Sequence, residues 1–276
     1  MWQTFGHNPV KNILERQLGA LKFPHAYLFQ GPEGVGKKTL ALEFAKKVLN
    51  TENLQNHADF QILDMEGEIT MEPALDFMSR LSLKPFLGAK KIAIINNAQN
   101  LNLQSGNALL KTLEEPSPST IIILVAESRK VMPTIVSRCQ VLNFNILNED
   151  ELKAFAAGQN IKLSEDFLAL SFGQSSRLKK LAEDEDFYSG QKTAIEQYRN
   201  IKKMPLAEKL TNISEFAELE PEALEQNLLT WMHWQSGELG KKPADYGKLQ
   251  ALADSLGALK KNQNKKLVLQ SLFLRI

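Results

Sequence analysis

The chain has 276 residues, 43% hydrophobic and 24% charged, with a formal net charge of +1 at pH 7. At about 100 to 200 residues per domain, that length predicts two domains and a small third, and the composition is that of a globular protein rather than a disordered or fibrous chain. The near-zero charge excludes bulk electrostatic capture of nucleic acid and confines any DNA contact to a local patch.

A single cysteine, Cys139, can close no internal disulfide and build no cysteine-rich zinc site, so a cytoplasmic protein is expected. The opening stretch MWQTFGHNPVKNILERQ lacks a signal-peptide pattern. The longest purely apolar run, Ile121 to Ala126, is far below the roughly 20 residues of a membrane helix, so no membrane span is expected.

Along the first half, short apolar runs alternate with longer amphipathic stretches: AYLFQ (26–30), FQIL (60–63), KIAIIN (91–96), IIILVA (121–126) and VLNF (141–144). Continuous apolar strands separated by helices predict a parallel five-stranded sheet covered on both faces. From about Asn148 helical periodicity takes over, with a break expected around Phe187 to Gly190. The expected organisation is an α/β core over 1–146, a small helical domain over 147–185 and an all-helical domain over 186–276.

GPEGVGKKTLA follows the first strand and opens the helix KKTLALEFAKKVL, the context that a G-x-x-x-x-G-K-[ST] phosphate-binding loop requires. Gly31, Gly34 and Gly36 shape the loop, and its amides with the helix N-terminus make an anion site. Lys37 supplies a charge for β and γ phosphates. Lys38, however, stands where a serine or threonine hydroxyl would coordinate Mg²⁺, and an ammonium offers only donors. Thr39, about 100° further round the helix, points its hydroxyl away from that place.

The strand KIAIINNAQNL shows a second loss. A working strand of this kind ends in Asp-Glu, one carboxylate for the metal and one for the attacking water. Asn96 and Asn97 stand there instead, neutral amides that neither charge-balance a metal nor take a proton. Three positions have lost their chemistry together, which predicts no hydrolysis, weak and Mg²⁺-independent binding of ATP or ADP at most, and no required cofactor.

Asn102 to Asn107 opens the helix NALLKTLEE, and the expected cap is Ser105 or Asn107, with DNA-phosphate contact the less favoured use. Trp231, His233 and Trp234 in TWMHWQ read as core or interface. Leu267, Leu269, Leu272 and Leu274 leave the last helix little polar face, so burial is expected, including burial between subunits.

NALLKTLEEP (107–116) and PTIVSRCQ (133–140), with FPHAYLFQGPEGVGK, HADFQIL and NQNKKLVLQSLFLRI, make the chain resemble the clamp-loader branch of the AAA+ proteins, and within it the delta-prime type of the bacterial DNA polymerase III complex. The similarity covers nearly the whole chain. It implies a P-loop core, a lid and a C-terminal collar. It further implies a ring-like pentamer with gamma/tau and delta types that opens the sliding clamp and sets it on primer-template DNA. By the same resemblance, Arg138 of Ser-Arg-Cys reaches into a neighbouring subunit's ATP site as an arginine finger. Arg177 in GQSSR (173–177) resembles the sensor-2 arginine, with interdomain packing as its alternative use. Many relatives carry a four-cysteine zinc module before the second strand; residues 50–59 have no cysteine, so no zinc is expected, and His57 reads as a surface or packing histidine. No residue is assigned to the sensor position after IIILVA, where AES (126–128) follows. The alternatives are an ATP-hydrolysing gamma/tau-type motor subunit and, from another class, a P-loop small-molecule kinase.

Overall fold

The computed structural model describes residues 2–81, 83–127, 131–239 and 246–276; Ser128, in the unassigned sensor stretch, lies outside them. The described chain forms two units, Met1–Gln159 with Gly173–Ser176, and Asn160–Phe172 with Arg177–Ile276.

The first unit begins with α1 (Asn8–Ala20), β1 (Ala26–Gln30), α2 (Lys37–Leu49), β2 (Phe60–Leu63), α3 (Met71–Leu81) and β3 (Lys91–Ile95). A 3-10 turn (Ala98–Asn100), α4 (Leu103–Glu114), β4 (Thr120–Ala126), α5 (Pro133–Val136), β5 (Gln140–Asn143) and α6 (Glu149–Gly158) follow. All strand pairs are parallel, in the order β2-β3-β4-β1-β5.

The reason is visible in the alternation of side chains. Tyr27, Phe29, Ile92, Ile94, Ile121 and Ile123 point to one face and pack with Leu14, Leu40 and Phe44 of α1 and α2. Ala26, Leu28, Ala93, Ile95, Ile122 and Leu124 point to the other and pack with Phe77, Leu109 and Leu113 of α3 and α4. Each fully buried Leu, Ile or Phe among them contributes roughly 1.5–3 kcal/mol, so both layers are needed and neither face can be left in water.

The start of α4 departs from expectation. Its cap is Asn102, in extended conformation, whose side chain accepts from the Ser105 amide at 2.9 Å. Ser105 is wholly buried, its hydroxyl donating to the Ile69 carbonyl at 2.7 Å, so it is tied to the chain beside α3 and not free to cap.

The second unit holds α7 (Glu165–Ser171), most of α8 (Ser175–Glu183), α9 (Glu185–Lys203), α10 (Leu206–Glu218), α11 (Pro221–Leu239), α12 (Tyr246–Leu259) and α13 (Lys265–Arg275). Its core centres on Trp231, fully buried, with its ring stacked on Tyr198 and its indole N–H donating to the Ala194 carbonyl at 2.7 Å. The expected break at 187–190 is absent, because α9 runs unbroken through it. The interruption falls at Asp184, whose carboxylate caps α9 by accepting from the Phe187 amide at 2.8 Å.

Along α13, Val268, Leu269, Leu272, Phe273 and Ile276 are buried within this unit. Leu267 and Leu274, expected to be covered as well, are 64% and 59% exposed.

Candidate functional site

The Gly-rich loop leaves the carboxyl end of β1 and enters α2, with the ends of β2, β3 and β4 beside it. Gly31 is required by a close approach. Its amide donates to the Ala126 carbonyl at 3.2 Å, and a Cβ there would lie 2.2 Å from the Phe144 carbonyl oxygen. Gly36 caps α2 with φ 99°, a left-handed conformation open to glycine. The Gly34 carbonyl accepts from the Ser176 amide at 3.0 Å and the Ser175 hydroxyl at 3.2 Å, so the start of the GQSSR motif rests on the loop.

Lys37 is folded into its own loop. Its ammonium donates to the carbonyls of Gly31 at 2.8 Å and Pro32 at 2.5 Å, and the residue is 7% exposed. Burial lowers its pKa, partly offset by the negative charges of Glu127 and Glu33. An anion entering the loop must draw this ammonium off two carbonyl oxygens.

At the place of the metal ligand, Lys38 forms an ion pair with Asp64, just beyond β2. Asn96, just beyond β3, donates its amide to the other Asp64 oxygen at 2.7 Å. The Asp64 carboxyl is held below the usual carboxylate range by the Lys38 hydrogen bond first and that of Asn96 as well, against the opposing effect of burial. Sequence reasoning missed Asp64. The signal was there in principle: an acid at the carboxyl end of a parallel strand, facing a loop that carries an extra lysine. Thr39 is exposed on the first turn of α2. Asn97 takes φ 54° at the head of the 3-10 turn and accepts from Gln99 at 3.5 Å, a backbone use of asparagine's tolerance for left-handed geometry.

A second residue missed by sequence reasoning is His7. It has φ 56° before α1, is 8% exposed, and its Nε2–H donates to the Val35 carbonyl at 2.7 Å, tying the loop to the residue that precedes α1. Burial lowers its pKa, outweighing the carbonyl contact that raises it. His57, as read from the sequence, is local: its Nδ1 accepts from the Asp59 amide at 3.2 Å.

Arg138 lies between α5 and β5. Its guanidinium donates to Glu114 at 2.5 Å and to the Thr134 carbonyl at 2.9 Å. β5 runs parallel to β1 with Tyr27 opposite Gln140 and Gln30 opposite Asn143. Arg138 therefore stands ahead of the strands and the loop beyond them, at least four residues of strand or roughly 13 Å apart. Arg138 is out of reach of its own loop.

Arg177 is committed inside the second unit. It donates to the Leu170 carbonyl at 2.8 Å, to Gln191 and to Thr230, and stacks against Phe172 and Phe187. Burial brings its pKa down to about 10.

A parallel sheet in this order, with a P-loop at the carboxyl end of β1 and helices after it, defines a P-loop core of the AAA+ type. The family described as DNA polymerase III, delta subunit, matches residues 6–148, and the chain belongs to it. Among curated relatives, the delta-prime subunit of DNA polymerase III from Pseudomonas aeruginosa is 31% identical over 152 residues, 48% of this chain and 46% of the relative. The gamma/tau subunit from Mycoplasma genitalium is 30% identical over 187 residues, 60% of this chain and 31% of the relative. The chain thus spans about a third to a half of the length of these relatives. Among solved structures, a DNA polymerase III gamma subunit-related protein from Thermotoga maritima shares the fold, with a TM-score of 0.54 at 18% identity over 95% of this chain and 97% of that one. No helix among the described residues is long and apolar enough to cross a membrane.

Proposed function

We propose that this chain acts as a delta-prime-type subunit of the DNA polymerase III clamp loader, a cytoplasmic assembly that loads the sliding clamp on primer-template DNA. On this reading it hydrolyses no ATP. It joins gamma/tau-type and delta-type subunits in a hetero-oligomer, docks through its C-terminal helices, and extends Arg138 to the ATP bound by a neighbour. It requires no cofactor and no zinc, and any ATP or ADP it retains is held weakly and without Mg²⁺.

The observation that carries this reading is the Lys38–Asp64–Asn96 cluster. The carboxylate beside the loop is already paired with a lysine and an amide, and among the described residues no group of three His, Cys, Asp or Glu could hold the Mg²⁺ that phosphoryl transfer needs. The same cluster disfavours the gamma/tau-type motor and the small-molecule kinase, both of which need that metal. Arg138, beyond reach of its own loop, suits action in trans, and exposed Leu267 and Leu274 give the last helix an apolar face to offer a partner.

The test is reconstitution. Mixed with gamma/tau-type and delta-type subunits, the chain should co-elute on gel filtration and restore clamp loading on primed DNA; failure to enter the complex contradicts the assignment.

A further inference from the structure

The carboxylate beside the P-loop is not missing; it is covered. Asp64 follows β2, Asn96 follows β3, and Lys38 lies on the first turn of α2, so three elements bring these side chains together at the carboxyl edge of the sheet. Each Asp64 oxygen has one hydrogen-bond partner among the described residues, Lys38 on one side and Asn96 on the other. Among the described residues, no group of three His, Cys, Asp or Glu could hold a metal ion, and the one acid in this cluster already has a cation.

We infer that the Lys38 ammonium is an internal replacement for a divalent cation, and that Asp64 is a masked metal ligand. A hard divalent cation takes carboxylate and amide oxygens with water. Asp64 provides the first, Asn96 provides the second once its amide rotates, and the exposed edge admits water, since the Lys38 and Asp64 side chains are 45% and 34% exposed. What keeps a metal away is the charge on Lys38, which both occupies the carboxylate and repels an incoming cation. Replacing that single residue should uncover a site rather than merely remove a contact. The inference deepens the reading of the loop as a silent nucleotide site and rests on it, but its readout is metal binding by the isolated chain. Its failure would leave the clamp-loader assignment to be judged by assembly.

The experiment titrates Mn²⁺ alone into the full chain at fixed ionic strength, reading free Mn²⁺ by electron paramagnetic resonance, with folding checked by circular dichroism. Lys38→Ser and Lys38→Ala are compared with the wild type and with Lys38→Ser/Asp64→Asn. The alanine variant removes the charge without adding a ligand, and position 38 is exposed, so at least one single variant should fold. Both single variants should bind Mn²⁺ at least about tenfold more tightly than the wild type, since a repelling unit charge a few ångströms away has gone. The double variant should return to the wild-type level. Wild-type binding as tight as that of Lys38→Ser, or a gain that survives Asp64→Asn, would overturn the inference.

Discussion

Lys38 on α2 and Asp64 at the end of β2 are joined by an ion pair, and Asn96 from the neighbouring strand completes the carboxylate's contacts. The two residues lie 26 positions apart in sequence, and together they fill the place where a P-loop enzyme keeps its metal. The isolated chain should therefore show no ATPase above background, with or without Mg²⁺, and Lys37→Ala should change nothing. Steady turnover that Lys37→Ala abolishes would contradict this.

His7 gives the loop a pH dependence. Its folded-state pKa lies below the ordinary value of about 6.5 because burial disfavours the charged ring. The unfolded chain then binds more protons as pH falls below about 6.5, so this contribution to stability is present above that value and is lost toward lower pH. His233, lowered by burial and by the charge of Arg177, acts in the same direction in the second unit. Thermal melts should show a lower Tm at pH 5 than at pH 7, and His7→Asn, which keeps the left-handed backbone, should flatten the part of that slope due to the first unit. A Tm that rises on acidification would refute it.

Leu267 and Leu274 should matter to the assembly and not to the fold. Both are largely exposed, so Leu267→Asp and Leu274→Asp should change the stability of the isolated chain by no more than about 0.5 kcal/mol. If α13 meets a partner, each should weaken association by at least about tenfold, read by gel filtration or calorimetry with the other subunits. Unchanged association would place the contact elsewhere.

Strands and loop were legible because their signals are local: apolar runs of four to six residues and glycines at fixed offsets. The fold of the first unit follows from them, and the five expected strands are present with their ends shifted by no more than a residue. What was not legible depended on distant partners. Asp64 reads as an ordinary strand-end acid until β2 and α2 are set side by side. Ser105 looks like a cap until the Ile69 carbonyl claims its hydroxyl. Gly190 looks like a break, yet it sits exposed inside α9, since Asp184 had already started the helix and nothing forces the chain to stop.

A Cβ at Gly190 meets nothing within 4 Å. Gly190→Ala should stabilise the chain by about 0.5–1 kcal/mol, through reduced freedom of the unfolded state. Chemical denaturation would measure it, and a loss of stability would mean that α9 is not continuous there.

On the proposed function, a subunit with no hydrolysis of its own completes a neighbour's site through Arg138. In the free chain that arginine is held by Glu114, a half-exposed pair worth about 0–1 kcal/mol, which a phosphate can outbid. A guanidinium can bridge two phosphate oxygens where a lysine's point charge cannot, so Arg138→Lys should fail nearly as badly as Arg138→Ala. Arginine fingers contribute roughly 10³ to 10⁵ in rate in GTPases, but only the site facing this subunit would be lost. The most direct measurement is clamp- and DNA-stimulated ATPase, with clamp loading, of the reconstituted complex carrying wild-type or Arg138→Ala chain, its assembly verified by gel filtration. A partial loss of total ATPase with a large loss of clamp loading, in an intact complex, is the predicted result; unchanged ATPase and loading would contradict the account.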